Sequence, residues 1–150
     1  MYLENYLGIC AGVLVLSFVN VHSLSEEQKN SIELKLLPIL TECSQRNGIT
    51  ILDIAVARQT KNIDNIPPCV FACVFKKIGI INNEGLFDIE KAQRKAKKLL
   101  QNDEETSSFL TVAETCSSVN KEPRSNDRNG CLLSRELFRC FYRNKEVVGL

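Results

Sequence analysis

The cysteines constrain the fold of this chain more than any other feature. Six of them lie between residues 43 and 140, and two, Cys69 and Cys73, are four residues apart in the apolar run PPCVFACVF at residues 67–75. On an α-helix this spacing places both sulfur atoms on one face, one turn apart. A thiolate zinc site typically needs two close cysteine pairs, and only one exists here. A redox motif favours two intervening residues instead of three. We therefore expect disulfide bonds, with Cys69 and Cys73 better placed to reach two different partners than each other.

The N-terminal segment indicates an oxidising compartment, in which disulfides persist. Residues 7–21, LGICAGVLVLSFVNV, are apolar but shorter than the roughly 20 residues of a membrane-spanning helix. The pattern is typical of a secretory signal peptide, although Glu4 and no Lys or Arg precede it. We expect cleavage after Ser23, giving a signal peptide at residues 1–23 and one domain at residues 24–150. A membrane anchor or a buried N-terminal helix is the alternative. Cleavage would remove Cys10 and leave an even number of cysteines.

Composition excludes several classes of function. Residues 24–150 carry 19 basic and 17 acidic side chains, a formal charge of +2, whereas nucleic-acid-binding domains usually present a strongly basic face. The one histidine, His22, falls in the predicted signal peptide. A Ser-His-Asp or Cys-His nucleophile system and an imidazole metal ligand are then unavailable to the domain. We predict no enzymatic activity, no metal, no cofactor and no nucleic-acid partner. The usual protonation switch near neutral pH is likewise absent from the domain.

Hydrophobic periodicity predicts about six helices and no sheet. Ser25 and Gln28 have the spacing of a capping box, and the helix that follows is expected to kink or split at Pro38. The other predicted helices run from Thr50 to about Arg58, over about residues 68–79, from Ile89 after the N-cap Asp88, over residues 106–119, and from about Cys131 to Arg143.

The predicted fourth helix is rich in basic residues. Its apolar positions share one face, and basic side chains cover the rest: Lys91, Arg94, Lys95, Lys97 and Lys98. A solvated helix face is the simpler interpretation of this pattern. A weak attraction for anionic ligands or for a membrane surface is the alternative.

These features together resemble a known family. The signal segment, the all-helical pattern, the Cys-x3-Cys spacing of Cys69 and Cys73 and the Cys-x8-Cys spacing of Cys131 and Cys140 are similar to those of insect odorant-binding proteins, the six-cysteine pheromone and general-odorant-binding superfamily. The resemblance covers all of residues 24–150. It implies an all-α fold of about six helices around an apolar cavity, stapled by three disulfides. The family's pairing implies the bonds Cys43–Cys73, Cys69–Cys131 and Cys116–Cys140.

The resemblance also implies a function. The protein would be a secreted, soluble carrier that binds small hydrophobic ligands, such as odorants or pheromones, in an internal pocket and transports them through extracellular aqueous lymph. A membrane odorant receptor is a further expected partner, and the protein is expected to be a monomer or a weak homodimer. Apolar side chains on inward helix faces are candidates for the pocket lining, although plain core packing is the simpler explanation for each: Ile54, Val74, Phe75, Phe109, Leu110, Ala113, Leu133, Leu137 and Phe141. Candidate polar contacts are Tyr142, Thr111 and Ser134.

Two alternatives accompany this interpretation. The apolar tail residues Val147, Val148 and Leu150 would cover the pocket mouth in one hypothesis and form a frayed terminus in the other. A different class of function is a secreted helical factor that binds lipid surfaces or proteins, either saposin-like or salivary and signalling. Saposin-like chains are usually shorter and space their cysteines differently. Displacement of a fluorescent apolar probe would separate a carrier from such a factor.

Overall fold

A computed structural model describes residues 24–100, 102–124 and 126–147. These residues form six α-helices, two 3-10 helices at Ile63–Asn65 and Ser117–Lys121, and an isolated antiparallel bridge between Ile81 and Phe87. The predicted all-α class and the number of helices are confirmed. None of the helices in these ranges is long and apolar enough to cross a membrane. The predicted signal peptide and the tail residues Val148 and Leu150 lie outside the described residues. In chain order the helices are α1 Glu26–Arg46, α2 Ile51–Gln59, α3 Pro68–Ile78, α4 Ile89–Leu99, α5 Asp103–Cys116 and α6 Cys131–Arg143.

Side-chain caps from the N-cap residue mark the points at which α1, α2, α4 and α5 begin. Ser25 Oγ accepts the backbone N–H of Gln28 at 3.2 Å, and Gln28 Oε1 accepts the backbone N–H of Ser25 at 3.0 Å, which is the predicted capping box. Thr50 and Asp53 form the same reciprocal pair at α2. Asp88 begins α4 by accepting the N–H of Lys91 at 3.0 Å, as predicted. These local bonds satisfy donors that the first turn of a helix leaves unpaired.

Two features differ from the sequence prediction. Of the predicted kink or split at Pro38, the split does not occur, because α1 continues from Glu26 to Arg46 with Pro38 inside it. The proline leaves the carbonyl of Leu34 without its usual donor, but both residues are exposed on the outer side of the helix, where water can bind that carbonyl. Helix α5 begins at Asp103, three residues earlier than predicted, because Asn102 accepts the N–H of Glu104 at 2.8 Å.

Three disulfide bonds join the helices. Cys43 of α1 is bonded to Cys73 of α3, Cys69 of α3 to Cys131 of α6, and Cys116 of α5 to Cys140 of α6. These are the pairs that the resemblance implies. The two neighbouring cysteines of α3 therefore bond to different helices, and α6 is held by α3 at its first residue and by α5 near its end.

The segment between α3 and α4 is fixed against the residues that precede α6. The side chain of Asn120 accepts the N–H of Phe87 and donates to its carbonyl oxygen, both at 2.9 Å. Gly85 and Gly130 both have positive φ, and a Cβ atom on Gly130 would lie 2.6 Å from the carbonyl oxygen of Gly85. This close approach brings Phe87 into the core beside α6, where it is buried.

Candidate ligand-binding site

The apolar interior consists of two clusters that meet at one side chain. The α5–α6 cluster and the α2–α3 cluster each have a buried centre surrounded by partly buried apolar residues. Phe75 of α3 packs against both clusters and is itself only partly buried. The buried centre of the α5–α6 cluster comprises Ile80, Ile81, Phe87, Ala92, Val112, Ala113, Cys116, Val119, Leu133 and Leu137, and that of the α2–α3 cluster comprises Ala57, Ile66, Val70 and Phe71.

Helix α6 carries aromatic side chains toward both clusters. On one face Phe138 lies 4.8 Å from Phe71, measured between ring centroids, and stacks on Tyr142 at 6.1 Å. Three residues further along the helix, Phe141 stacks on Phe109 of α5 at 5.7 Å and meets Phe87 edge to face at 6.1 Å. These separations are typical of favourable aromatic pairs. Because disulfide bonds at Cys131 and Cys140 hold this helix on both flanks, the directions of its aromatic side chains are fixed.

The nine predicted lining residues divide between these regions. Ile54 packs against the α2–α3 cluster, and Val74 and Leu110 are partly buried without belonging to the core of either cluster. The structure brings the other six together in or against the α5–α6 cluster: Phe75, Phe109, Ala113, Leu133, Leu137 and Phe141.

Burial separates two kinds of residue within this set. Ala113 and Leu137 have 0% of their surface exposed and Leu133 has 2%, whereas Phe75, Phe109 and Phe141 are partly buried. A side chain next to space that a ligand can enter keeps some accessible surface, whereas a side chain closed in by neighbours has none. The three phenylalanines are therefore in a better position to contact a ligand, and the other three pack behind them.

Sequence reasoning missed Phe138. It is partly buried, it packs against the α2–α3 cluster, and it stacks on Phe71. A signal for it was present in the sequence, because Phe138 is seven residues after Cys131 and so lies on the same face of α6. The Cys69–Cys131 bond turns that face toward α3.

The three candidate polar contacts differ in availability. The hydroxyl of Thr111 donates to the carbonyl of Ser107 at 3.1 Å on an exposed part of α5. Ser134 is fully buried, and its hydroxyl oxygen has no hydrogen-bond partner among the described residues. Tyr142 is partly buried, with its ring stacked on Phe138 and covered by the ammonium of Lys145 at 4.7 Å from the ring centroid. Of the three, Tyr142 combines partial exposure with a place in an aromatic row.

Ion pairs connect the helices that surround the candidate site. Lys77 of α3 and Glu42 of α1 form an ion pair at 2.8 Å, beside the Cys43–Cys73 bond. The hydrogen bond from Lys77 lowers the pKa of Glu42 below its ordinary value. Arg139 of α6 pairs with Asp64, which connects α6 to the first 3-10 helix. Backbone hydrogen bonds likewise lower the pKa of the capping carboxylates Asp53 and Asp88.

An open depression of about 610 Å³ lies elsewhere, on the outer side of α1. It is open to solvent and contains none of the predicted lining residues; the residues around it are Glu27, Asn30, Ser31, Leu34 and Lys35. This surface does not match the enclosed apolar site that the sequence predicts.

Comparisons with known proteins agree with the fold. The PBP/GOBP family model matches residues 25–144. A solved structure of odorant-binding protein dmelOBP28a from Drosophila melanogaster is similar to this chain, with 25% sequence identity and a TM-score of 0.54. The match covers 80% of this chain and 94% of the other. A comparison with curated proteins gave no match.

Proposed function

This chain belongs to the PBP/GOBP family, and on that basis we propose that it is a secreted carrier that encloses a small hydrophobic ligand and transports it through extracellular aqueous lymph. Proteins of this family are binding carriers rather than enzymes, and the similar solved structure is an odorant-binding protein. Odorants, pheromones or molecules of similar size and polarity are the proposed ligands. We propose neither a catalytic activity nor a resident cofactor.

The position of Phe75 is the observation that carries this proposal. It is a large apolar side chain at the junction of two core clusters, and it is only partly buried there. Phe109 and Phe141 form a stacked pair at the edge of the same α5–α6 cluster and are also partly buried. Transfer of a ligand from water to such surfaces is favourable by about 25 cal/mol per Å² of apolar area. We place the ligand between α3, α5 and α6, with Ala113, Leu133 and Leu137 packed behind the contacting rings.

The disulfide frame supports an open interior. Three covalent bonds hold α1, α3, α5 and α6 together, so the stability of the shell does not depend on filled packing at every interior position. Ile54, Val74 and Leu110 are proposed as further contacts at the border of the site. Delivery to a membrane odorant receptor, and a monomeric or weakly dimeric state, belong to the same proposal.

Probe displacement tests the proposal. The full chain is produced through a eukaryotic secretory pathway and titrated with N-phenyl-1-naphthylamine, a fluorescent apolar probe, which small apolar ligands should then displace. Phe75→Leu should lower affinity by about 2- to 10-fold, because an aromatic contact contributes about 0.5–1.5 kcal/mol. The matched control is Phe71→Leu, the same substitution at a buried position of the α2–α3 cluster, which should leave the affinity of the folded protein unchanged.

Two results would contradict the carrier. One is the absence of saturable probe binding by protein whose three disulfides are confirmed by mass spectrometry. The other is binding to liposomes without displacement of the probe by any small apolar ligand, which would favour the lipid-surface-binding alternative.

A further inference from the structure

We propose that the outer face of α4 docks this protein onto bilayers that contain anionic phospholipids. We define the α4 cationic face as Lys91, Arg94, Lys95, Lys97 and Lys98, all of them exposed. The candidate ligand site does not use these residues. The inference therefore concerns a second, separate surface.

The helix geometry makes this face continuous. Lys91, Arg94, Lys95 and Lys98 have the spacing i, i+3, i+4 and i+7, which places them in one stripe along α4, with Lys97 at its side. The opposite side of α4 is anchored in the protein, because Ala92 and Ala96 are buried. The helix therefore cannot rotate to hide its cations. The end of the Lys95 side chain lies against Gly79, with Cε 3.3 Å from the position of a Cβ atom there, and the other cations of the stripe face outward.

Most of this positive charge is not neutralised by the protein itself. Arg94 pairs with Glu90 at 3.7 Å and Lys91 with Asp88 at 3.4 Å, both within the start of the helix. Among the described residues, Lys95, Lys97 and Lys98 form no ion pair. The next acidic residues in the chain, Asp103 to Glu105, begin α5 and lie beyond the C-terminal end of the face.

The like charges on α4 repel one another and lower the stability of the helix, and an anionic partner would offset this loss. Like charges three or four residues apart destabilise a helix, and the stripe contains several such pairs, including Lys91 with Lys95 and Arg94 with Lys98. Alternating acidic and basic residues at these positions would avoid this repulsion. A surface with dense negative charge would relieve this repulsion at every position of the stripe at once.

Two features favour a lipid surface over other anionic partners. Leu99 follows the last lysine of the face and is 49% exposed, so an apolar side chain stands beside the cations, as in helices that bind at membrane interfaces. The overall charge of the domain is nearly balanced, and the charge excess is local to this helix, unlike the basic domains that bind nucleic acid. Docking by this face would bring a carrier of apolar cargo to the membrane without opening the candidate site.

Vesicle flotation tests the proposal. The full chain, produced through a secretory pathway, is mixed at low salt with vesicles of phosphatidylcholine alone or with one third phosphatidylserine. Binding is expected only to the phosphatidylserine vesicles and should weaken as salt rises, because screening shortens the range of the attraction. The variant Lys97→Gln/Lys98→Gln should bind about 20- to 30-fold more weakly, since each lysine near an anionic surface strengthens binding by roughly fivefold.

A matched control separates this face from net charge. Lys35→Gln/Lys121→Gln removes the same charge from exposed positions on α1 and the second 3-10 helix and should bind like the unmodified chain. Equal loss in both double variants, equal binding to both kinds of vesicle, or no binding at low salt would overturn the proposal. Binding to heparin in the absence of vesicle binding would also overturn it and would assign the face to an acidic polymer. Probe affinity measured on the same variants keeps this result independent of the carrier function.

Discussion

Substitution of Gly130 by alanine should destabilise this protein more than the same substitution at Gly48. Both glycines have a positive φ, but only Gly48 has open surroundings. Gly130 has a φ of +68°, and its Cβ atom would lie 2.6 Å from the carbonyl oxygen and 2.9 Å from the Cα of Gly85. Both contacts are with backbone, which cannot move aside as the end of a flexible side chain can. The segment that contains Gly85 is in turn held by the bonds of Asn120 to Phe87.

Gly48 gives the matched comparison. It has a φ of +74°, and a Cβ atom added there would meet nothing within 4 Å. Gly48→Ala should therefore cost only the left-handed conformation, about 1–2 kcal/mol. Gly130→Ala carries the same conformational cost and adds overpacking, typically about 1–3 kcal/mol. The effect of alanine on the unfolded chain is the same in both variants and cancels in the comparison.

Urea unfolding with the disulfides intact measures the difference. For slopes of about 1–3 kcal/mol per M, an extra loss of about 2 kcal/mol lowers the midpoint for Gly130→Ala by roughly 1 M relative to Gly48→Ala. Gly85→Ala should behave like Gly130→Ala, since its Cβ would lie 2.9 Å from the backbone nitrogen of Gly130. Equal midpoints for the variants at Gly48 and Gly130 would refute the reasoning, because the close approach of Gly130 to Gly85 would then have no effect on the free energy of unfolding.

Three further predictions follow from burial, crosslinking and titration. Ser134→Ala should be neutral or stabilising by about 1 kcal/mol in urea unfolding, since it removes a buried hydroxyl without a partner; a loss of probe affinity would instead show a ligand contact. Replacing the Cys69–Cys131 pair by serines, which opens a loop with a sequence separation of 62, should cost about 4 kcal/mol, and a cost below about 1 kcal/mol would contradict the entropic estimate. Because Lys77 lowers the pKa of Glu42, the stabilisation from this pair is present above the unfolded-state pKa of about 4.3 and is lost as the pH falls through the folded-state value. Stability and probe affinity should therefore stay level between about pH 8 and 5.5 and decline only in more acidic solution, whereas a sharp change near pH 6.5 would indicate a histidine-like group.

Local signals allowed much of this fold to be predicted. The capping box at Ser25 and the N-cap Asp88 act within one turn of chain, and both appear in the structure with the predicted partners. The pairing of Cys69 with Cys131 followed from the family resemblance, whereas spacing alone left several pairings open. The contacts of Asn120 with Phe87 and of Gly85 with Gly130 had no such signal. They join residues more than 30 positions apart and involve backbone atoms, which a side-chain pattern does not encode.

Helix α6 of the candidate site also combines a feature that the sequence predicts with one that it does not. Leu137 and Phe141 are one turn apart on α6, and periodicity gives both the same inward face. In the structure Leu137 is fully buried, whereas Phe141 keeps part of its surface accessible where it meets Phe109 of α5. The difference depends on how α5 lies against α6, and the Cys116–Cys140 bond fixes that relation one residue before Phe141. If the ligand lies at this junction, as proposed, a ligand-contact map of α6 should include Phe141 and omit Leu137, although periodicity treats the two alike.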